Sequence, residues 1–464
     1  MTAQWVSMGG RVSDEAKLAE VPPSPRRVVA VYLTTSAIFT LATSIIWGVN
    51  TLFLLGAGLS IFQVMLVNTA FTVGQIVFEV PTGVVADTIG RRTSFLLSSA
   101  TLLLSTLWYV GAARYHWGVW SFAGASVLIG LGFTFQTGTV DAWLVDALDH
   151  TGWSGSKDRV FGWGGATFGA AMLIGTLAGG FLGQIDLQIP YVVRAVLLGV
   201  CFFATLALMR DWGFEPRPLK LSRIGEETQV ILEAGTRYGW RSPIVRPLMF
   251  VSLATGLFFI FGFYALQPYL LQLLGRNLVW VVGVVTAASS VASIGGNSLV
   301  RRVMDTPRGR RSAPRVLAVT SGLQAVLLVA VGGVGLFMHT PGLLPFGIVV
   351  ALWLAFSVLM GVAGPVRQGF INEHIPSKQR ATVLSLDSFF ADVGGSAGQP
   401  ALGYLAQVVS IPAAIATGAL VLFVPIPLYL AAQRAVARAL GRGVVATDPS
   451  PGPDGGGAPG DKGV

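Results

Sequence analysis

Charged side chains are scarce in this sequence. Lysine, arginine, aspartate and glutamate make up 11% of its 464 residues, whereas 53% are hydrophobic and the mean hydropathy is +0.68. Soluble domains of this length carry about a quarter charged residues, so a soluble globular fold is excluded. The composition predicts an all-α polytopic membrane protein whose main partner is the lipid bilayer.

Cysteine and histidine are scarce as well. The single cysteine, Cys201, lies in an apolar stretch, which excludes an intrachain disulfide and a thiolate metal cluster. The four histidines lie in or beside predicted loops: His116, His150, His339 and His374. None is therefore available as a base beside Ser396, whose G-G-S-A-G context fits a hydrolase motif. H-E-x-x-H and G-x-x-x-x-G-K-[ST] are absent too. We expect no enzymatic activity, no metal, no cofactor and no use of ATP.

Long apolar stretches, bounded by charges or by glycine and proline clusters, recur along the chain and predict twelve membrane spans. The predicted spans are residues 29–55, 61–86, 93–113, 118–147, 160–184, 189–209, 245–272, 278–300, 315–338, 343–367, 381–408 and 411–433. An even number of spans places both termini on the same side of the membrane.

Basic residues are concentrated on that side. All but three of the 31 lysines and arginines lie in the tails or border the loops that follow even-numbered spans, if Arg367 is counted at a span end. The exceptions are Arg114, Arg194 and Arg276. The positive-inside rule therefore predicts a cell-membrane protein with both termini in the cytoplasm. The net charge of +9 has this cause and does not indicate binding to nucleic acid.

A polar connection after the sixth span divides the chain into two halves. The predicted organisation is a cytoplasmic tail (1–28), a six-helix bundle (29–210), a cytoplasmic linker (211–244), a second six-helix bundle (245–434) and a disordered cytoplasmic tail (435–464). Within the linker, residues 224–238 fit an amphipathic helix on the inner surface. The last tail is rich in Pro, Gly and Asp. Residues 1–27 lack the apolar core of a cleaved signal peptide.

A short polar stretch, E-V-P-T-G-V-V-A-D-T-I-G-R-R at residues 79–92, joins the second span to the third. It resembles the G-x-x-x-D-x-x-G-R-R loop of the major facilitator superfamily. The matching residues are Gly83, Asp87, Gly90, Arg91 and Arg92. The glycines allow close approach of backbones, and the arginines offer forked donors for a carboxylate. Asp146, at the end of the fourth span, is the predicted acceptor in an inner-face latch; a solvated helix-end charge is its alternative.

The resemblance extends into the second half. The tenth-to-eleventh junction resembles that of the superfamily at Asn372, Glu373, Ile375, Pro376, Arg380, Ala381, Thr382 and Ser385. A degenerate echo of the 79–92 stretch follows the eighth span at Gly295, Arg301, Arg302, Arg308, Arg310 and Arg311. Glycines from Gly175 in the fifth span are matched by those from Gly395 in the eleventh. The resemblance implies two pseudo-symmetric six-helix bundles with a site near the mid-bilayer.

Exporters of this superfamily resemble one another in a glycine motif of the fifth span. Gly162, Gly175, Gly179 and Gly180 match it, whereas Ala171 and Thr176 depart from it. The missing proline weakens the indication of antiport. Close packing of helices explains the glycines equally well.

Four carboxylates lie inside predicted spans, where ionisable groups are costly and mark functional sites. Counted from the inner ends, Asp141 lies roughly 10 Å deep, Glu79 about 12 Å and Asp392 roughly 16 Å. Asp387 lies five residues before Asp392 on the same helix, so the two point to different faces. Each of the four is a candidate for proton coupling, with structural pairing as the alternative.

Polar or aromatic residues at middle depth are candidates for lining a substrate cavity, with packing against lipid or protein as the alternative. They are Asn50, Gln75, Gln136, Tyr264, Gln267, Trp353 and Phe390.

The resemblance implies a secondary active transporter that works by alternating access on a small-molecule substrate. The favoured mechanism is proton-coupled antiport, powered by the proton gradient, in which a monomer exports a small amphiphilic or cationic compound. The cationic preference rests on Asp141 and Asp392 having no predicted counter-charge in the membrane. A proton-coupled importer is the first alternative. A membrane scaffold or sensor that transports nothing is the second.

Overall fold

The computed structural model describes residues 23–216, 225, 242–275, 277–304, 307–374 and 380–441, with residues 301–311, 381 and 439–441 described by their backbone alone. Within these ranges the chain is helical and contains no strand. Most of the predicted N-terminal tail, the predicted amphipathic helix at 224–238 apart from Gly225, and the chain beyond residue 441 lie outside the described residues. So do Ile375 and Pro376 of the predicted junction.

The first half makes six crossings with eight helices. They are α1 (Pro25–Ser44), α2 (Asn50–Gly56), α3 (Ile61–Ile89), α4 (Arg91–Tyr115), α5 (Val119–Gln136), α6 (Thr139–His150), α7 (Lys157–Ile185) and α8 (Ile189–Leu208). Because α1 with α2 and α5 with α6 each form one interrupted span, the predicted count of six is confirmed.

The second half makes the other six crossings. Its elements are α9 (Val245–Leu274), α10 (Val279–Met304), α11 (Pro307–Phe337), α12 (Leu343–His374), α13 (Arg380–Val408), α14 (Ile411–Ala419), a 3-10 turn (Leu420–Phe423) and α15 (Pro425–Gly441). The last crossing comprises α14, the turn and α15. Residues 435–441, predicted as the start of a disordered tail, are helical, because α15 continues past the predicted end of the bundle.

Among the described residues, eleven helical segments are long and apolar enough to cross a membrane. The remaining predicted span, α13, has 29 residues, which is long enough, but its Ser, Asp, Gly and Gln residues make it more polar. It packs against α9 and α3. Asp387 and Gln399 on this helix are buried against protein rather than lipid, which explains how a less apolar span is tolerated.

The first predicted span is interrupted at residues 45–49, and a side chain of the other half fills the interruption. In an unbroken helix the Thr51 N–H would bind the Trp47 carbonyl. Instead, the Thr51 N–H donates to Oε1 of Gln267 on α9 over 2.9 Å, and Nε2 of Gln267 donates to the Trp47 carbonyl over 2.8 Å. An inserted side chain is a known cause of a helix break. The fourth span breaks at Gly138, whose φ is +68°, a conformation that favours glycine.

The two ends of the molecule are named by their loops. The terminus face carries residues 23–24, 90, 151–156 and 209–216, and the hairpin face carries residues 57–60, 116–118, 186–188, 338–342 and 409–410. The two halves meet along two helix pairs, α3 with α13 and α7 with α10.

Several contacts between the halves lie near the hairpin face. Gln184 at the end of α7 donates to the carbonyl of Asn277 over 3.1 Å. Phe181 stacks on Trp280 with ring centroids 6.0 Å apart. With the bridge made by Gln267, these contacts hold the halves together at the hairpin face.

In both halves, glycines of one helix allow its close packing against the backbone of a neighbouring helix. Gly175 and Gly179 on α7 lie against the backbone of α1, and Gly394 and Gly398 on α13 lie against the backbone of α9. A methyl group at any of these positions would collide with a side-chain oxygen or a backbone carbonyl of the neighbouring helix. Close packing therefore accounts for the glycine stretches of the fifth and eleventh spans.

Candidate functional site

A single residue separates α3 from α4. Gly90 has φ of 101° and ψ of 153°, a conformation that glycine adopts without strain. The loop is shorter than predicted, because Asp87 lies in the last turn of α3 and Arg91 and Arg92 begin α4. The predicted close approach at Gly83 is not found: no described atom lies within 4 Å of where its Cβ would stand.

Arg91 contacts two of the predicted latch residues. Its Nη1 lies 2.8 Å from Oδ1 of Asp87, and its Nε lies 3.9 Å from Oδ2 of Asp146 on α6. Its guanidinium also lies 5.9 Å from the ring centroid of Phe214. These side chains are partly exposed, so each ion pair contributes about 0–1 kcal/mol. The contacts join α3, α4 and α6 of the first half, and a role in holding the inner side shut stays a prediction.

Sequence reasoning missed Asp211, which follows α8. Its Oδ1 accepts the backbone N–H of Arg92 over 2.7 Å, and its carboxylate fills the space that a Cβ on Gly90 would need. α4 has no side-chain cap of its own, so Asp211 caps its positive end from another helix. Burial raises the pKa of Asp211, and the N–H and charge of Arg92 lower that pKa in part. An acidic residue directly after the sixth span was the available signal.

Residues 210–214 pack on the terminus face of the first half, although most of them begin the predicted linker. Nε1 of Trp143 donates to the carbonyl of Arg210 over 2.6 Å. The guanidinium of Arg27 lies 5.9 Å from the ring centroid of Trp212. These contacts fix the end of α8 against α6 and α1, and so position Asp211 at the start of α4.

Asp141 lies in the first turn of α6, just after the break at Gly138. The hydroxyl of Tyr32 on α1 donates to its Oδ1 over 3.0 Å. The side chain is exposed, and the start of a helix favours a negative charge. Among the described residues, Asp141 has no basic partner.

Asp387, another predicted coupling carboxylate, has a counter-charge. Arg367 on α12 contacts both of its oxygens, with Nη1 2.6 Å from Oδ2 and Nη2 2.5 Å from Oδ1. Ser252 on α9 donates to Oδ1 over 2.5 Å. The pair joins α9, α12 and α13, and α12 continues to His374, beyond the predicted end of the span at Arg367. A titrating role for Asp387 stays a prediction.

Glu79 and Asp392 lie on α3 and α13, the helices along which the two halves meet. The two helices pack against each other, so both carboxyl groups belong to the same contact between the halves. Glu79 is exposed and Asp392 is half-buried. No basic group of the described chain forms an ion pair with either of them. The structure therefore brings together two predicted coupling residues, one from each half.

The seven predicted cavity residues differ in burial. Four are half-buried: Gln75, Gln136, Tyr264 and Phe390. Three are buried: Asn50, Gln267 and Trp353. Asn50 donates to Asn68 over 3.1 Å and accepts from Tyr191 over 2.7 Å, and Gln267 fills the break in the first span. The protein itself uses the polar atoms of Asn50 and Gln267 in this conformation, and a substrate contact at the seven positions stays a prediction.

Sequence reasoning did not single out two buried polar residues as candidates for the site. Gln399 on α13 is fully buried and donates to the hydroxyl of Thr72 on α3 over 3.4 Å. Arg194 on α8, which stood out in the sequence only as an exception to the charge rule, is 1% exposed.

Comparisons with known proteins agree with this architecture. Tetracycline resistance protein class G of Vibrio anguillarum is 32% identical over 164 residues, which are 34% of this chain and 35% of that protein. The class E protein of Escherichia coli is 33% identical over 138 residues, 30% of this chain and 32% of that protein. The chain thus matches about a third of the length of these curated relatives.

The structure of the nucleoside transporter NupG superposes with a TM-score of 0.65 at 10% identity, covering 89% of this chain and 99% of that one. At this identity the likeness shows the fold alone. The sequence profile of the Major Facilitator Superfamily matches residues 32–350, which is more than half of the chain. This multi-pass membrane protein belongs to the Major Facilitator Superfamily.

Proposed function

We propose that this chain is a secondary active transporter of the cell membrane that exports a small amphiphilic compound in exchange for protons. The observation that carries the proposal is the pair formed by Glu79 and Asp392. The two carboxyl groups come from opposite halves and lie on α3 and α13, along which the halves meet. A group that couples protons to movement of the halves needs this position, because its charge then changes the energy of their contact.

The coupling follows from electrostatics. Two ionised carboxylates at this contact repel each other, and the repulsion is relieved when one of them takes up a proton. Protonation then favours approach of α3 and α13, and proton release favours their separation. Binding of substrate and binding of a proton favour different arrangements of the halves, so the flow of one drives the flow of the other.

In this proposal both termini are cytoplasmic, as the positive-inside pattern predicts, and the hairpin face is the outer face. The contacts of Gln267 and Gln184 then close the site to the outside in this structure. One chain supplies both carboxyl groups, so a monomer is sufficient for the mechanism.

The direction of transport rests on the relatives. They are named for resistance to tetracycline, and a membrane protein confers resistance most directly by removing the compound from the cell. This favours export over import. The expected preference for a cationic substrate stays a prediction, because Asp141 and Asp392 form no ion pair among the described residues. Arg194 and Arg367 add two positive charges within membrane spans.

Transport by purified protein in liposomes tests the proposal, with tetracycline as the probe and an imposed pH gradient. Glu79→Gln and Asp392→Asn should each abolish gradient-driven flux and keep exchange of labelled for unlabelled tetracycline. Asp149→Asn is the matched control, since Asp149 pairs with Lys157 at an exposed position, and should transport normally. Normal gradient-driven flux in both of the first two variants would overturn the mechanism.

Whole cells separate the alternatives. Cells that contain an exporter accumulate more tetracycline when an uncoupler removes the proton gradient. Less accumulation under the same treatment would indicate an importer. Complete absence of flux in liposomes, with folded protein present, would indicate a scaffold or sensor.

A further inference from the structure

Arg194 on α8 is a buried cation without a carboxylate. Its side chain is 1% exposed, and its Nε donates to the hydroxyl of Thr106 over 3.0 Å. Nη2 has no hydrogen-bond partner in the described part of the chain. The titratable groups that interact with its charge are the hydroxyls of Tyr109, Tyr191 and Tyr264. The guanidinium thus has neutral neighbours and at least one donor to spare.

The neighbouring polar groups have more donors than acceptors. The hydroxyl of Tyr191 donates to Asn50 over 2.7 Å, and Asn50 in turn donates to Asn68 over 3.1 Å. Nδ2 of Asn68 is itself buried without a partner among the described residues. Nη2 of Arg194 and Nδ2 of Asn68 are therefore two buried donors that have no acceptor among the described residues. A group that accepts hydrogen bonds and carries negative charge is the complement of this cluster.

An unpaired buried charge is costly, and the effective penalty is several kcal/mol for one ion. A charged arginine inside a membrane span, with no counter-ion among the described residues, therefore favours a partner from outside that part of the chain. The planar fork of the guanidinium fits a carboxylate best, because it binds both oxygens at once.

The cluster lies beside the contact between α2 of the first half and α9 of the second half. Tyr264 lies on α9 of the second half, one turn before Gln267, whereas Arg194 and Tyr191 belong to the first half. Arg194 is five residues from the start of α8, roughly 8 Å from the hairpin face. If the halves separated at the hairpin face, α9 would move away together with Tyr264. The guanidinium of Arg194 would then become accessible from that face.

We propose that Arg194 binds the carboxylate of the transported compound when the site opens toward the hairpin face. That this compound is transported rests on the function proposed above, whereas binding of a carboxylate at Arg194 does not. The substrate is then an amphiphile with an acidic group. The rings of Phe53 and Tyr191 stack 4.0 Å apart beside these polar groups, so aromatic surface suited to the apolar part of such a compound adjoins them.

Thermal stabilisation of the purified full-length protein tests this proposal with two acids and their amides. Benzoate and 4-phenylbutyrate should raise the melting temperature, and benzamide and 4-phenylbutyramide should not. Arg194→Met should lose the shift. Arg194→Lys should keep it with an affinity about tenfold to a hundredfold weaker, because the charge remains and the fork is lost. Arg114→Met, which removes an exposed arginine of the same half, should respond as the unchanged protein does.

Four results would overturn the proposal. The first is an equal shift with acid and amide. The second is a shift that survives Arg194→Met. The third is no shift with either acid, which would leave ordered water as the occupant of the cluster. The fourth is a shift that sodium chloride alone reproduces in an Arg194-dependent manner, which would make the cluster a site for an inorganic anion. If Arg194→Met does not fold, Arg194→Lys decides.

The test is independent of the coupling mechanism because it is made at equilibrium without a proton gradient. Glu79→Gln and Asp392→Asn should bind both acids as the unchanged protein does. Failure of acid binding in protein that still transports tetracycline would overturn the Arg194 proposal alone. Failure of transport with acid binding intact would overturn the proposed function and leave the binding site in place.

Discussion

Each half of the molecule has an arginine within a membrane span, Arg194 fully buried and Arg367 half-buried, and the two differ in their partners. Arg367 in the second half holds both oxygens of Asp387 and contacts Ser252, so three helices share one balanced charge. Arg194 in the first half has Thr106 and the neighbouring tyrosines and keeps a free donor. Paired charges of the first kind stabilise an arrangement of helices. A buried charge of the second kind is stable only with a partner from outside the chain.

The largest expected effect follows from breaking the balanced pair. Asp387→Ala leaves Arg367 charged and largely buried, and should destabilise the protein by about 3–5 kcal/mol. Cys201 reports unfolding directly, because it is the single cysteine and is 0% exposed. A thiol-reactive dye that labels it on heating gives the melting temperature. Asp149→Ala, at an exposed pair, should change stability by about 0–1 kcal/mol. Similar losses in the two variants would mean that burial does not distinguish the pairs.

A smaller effect on stability is expected at the junction of α3 and α4 in the first half, where the carboxylate of Asp211 caps α4. Gly90→Ala forces a side chain into a positive φ of 101° and into the space held by Asp211, and should cost about 1–3 kcal/mol. Gly83→Ala is the matched control. Its Cβ would meet open space within α3, so the variant should be neutral or more stable by up to about 1 kcal/mol. The same labelling of Cys201 measures both, and equal losses would contradict the role of Asp211 at this junction.

Long apolar stretches made the fold predictable. In lipid, every backbone polar group of such a stretch must be satisfied within it, and a helix is the solution available to a single segment. The interruption at residues 45–49 was not predictable on this basis. The interruption depends on Gln267, which lies 220 positions from Trp47. Nothing in the sequence around residues 45–49 indicates that contact.

The site was predictable to the extent that its residues share a local motif or an unusual depth. The 79–92 stretch, together with the end of the fourth span, predicted that Asp87, Arg91 and Asp146 lie close together. Depth in the membrane identified Glu79 and Asp392 as candidates for proton coupling. Contacts between the end of one helix and the start of another were not predicted, because tertiary packing sets the direction in which the chain leaves a helix. Asp211, which caps α4 from the end of α8, is the clearest case.

Arg194→Met sharpens the comparison of the two arginines further. Since no carboxylate is left behind, the melting temperature should stay unchanged or rise, as is common when a buried charge is replaced by an apolar side chain of similar volume. Arg367→Met should instead lower it strongly, because Asp387 is then stranded. Both variants are measured by labelling of Cys201 in the absence of added acids. A strong loss in Arg194→Met would show that its contacts within the chain already balance its charge.

The smallest expected effect concerns pH and Asp211. Burial raises the pKa of this carboxyl in the folded protein, so between the unfolded pKa, about 3.9, and the folded pKa the folded state binds more protons than the unfolded state. Its contribution to stability is therefore greatest at low pH and declines as the pH rises through that window. Comparing the melting temperature of the unchanged protein with that of Asp211→Asn, from pH 4 upward, isolates this slope. If the difference between the two grew in favour of the unchanged protein with rising pH, the hydrogen bond from Arg92 would outweigh burial, and Asp211 would resemble Asp387 in being held by its charge.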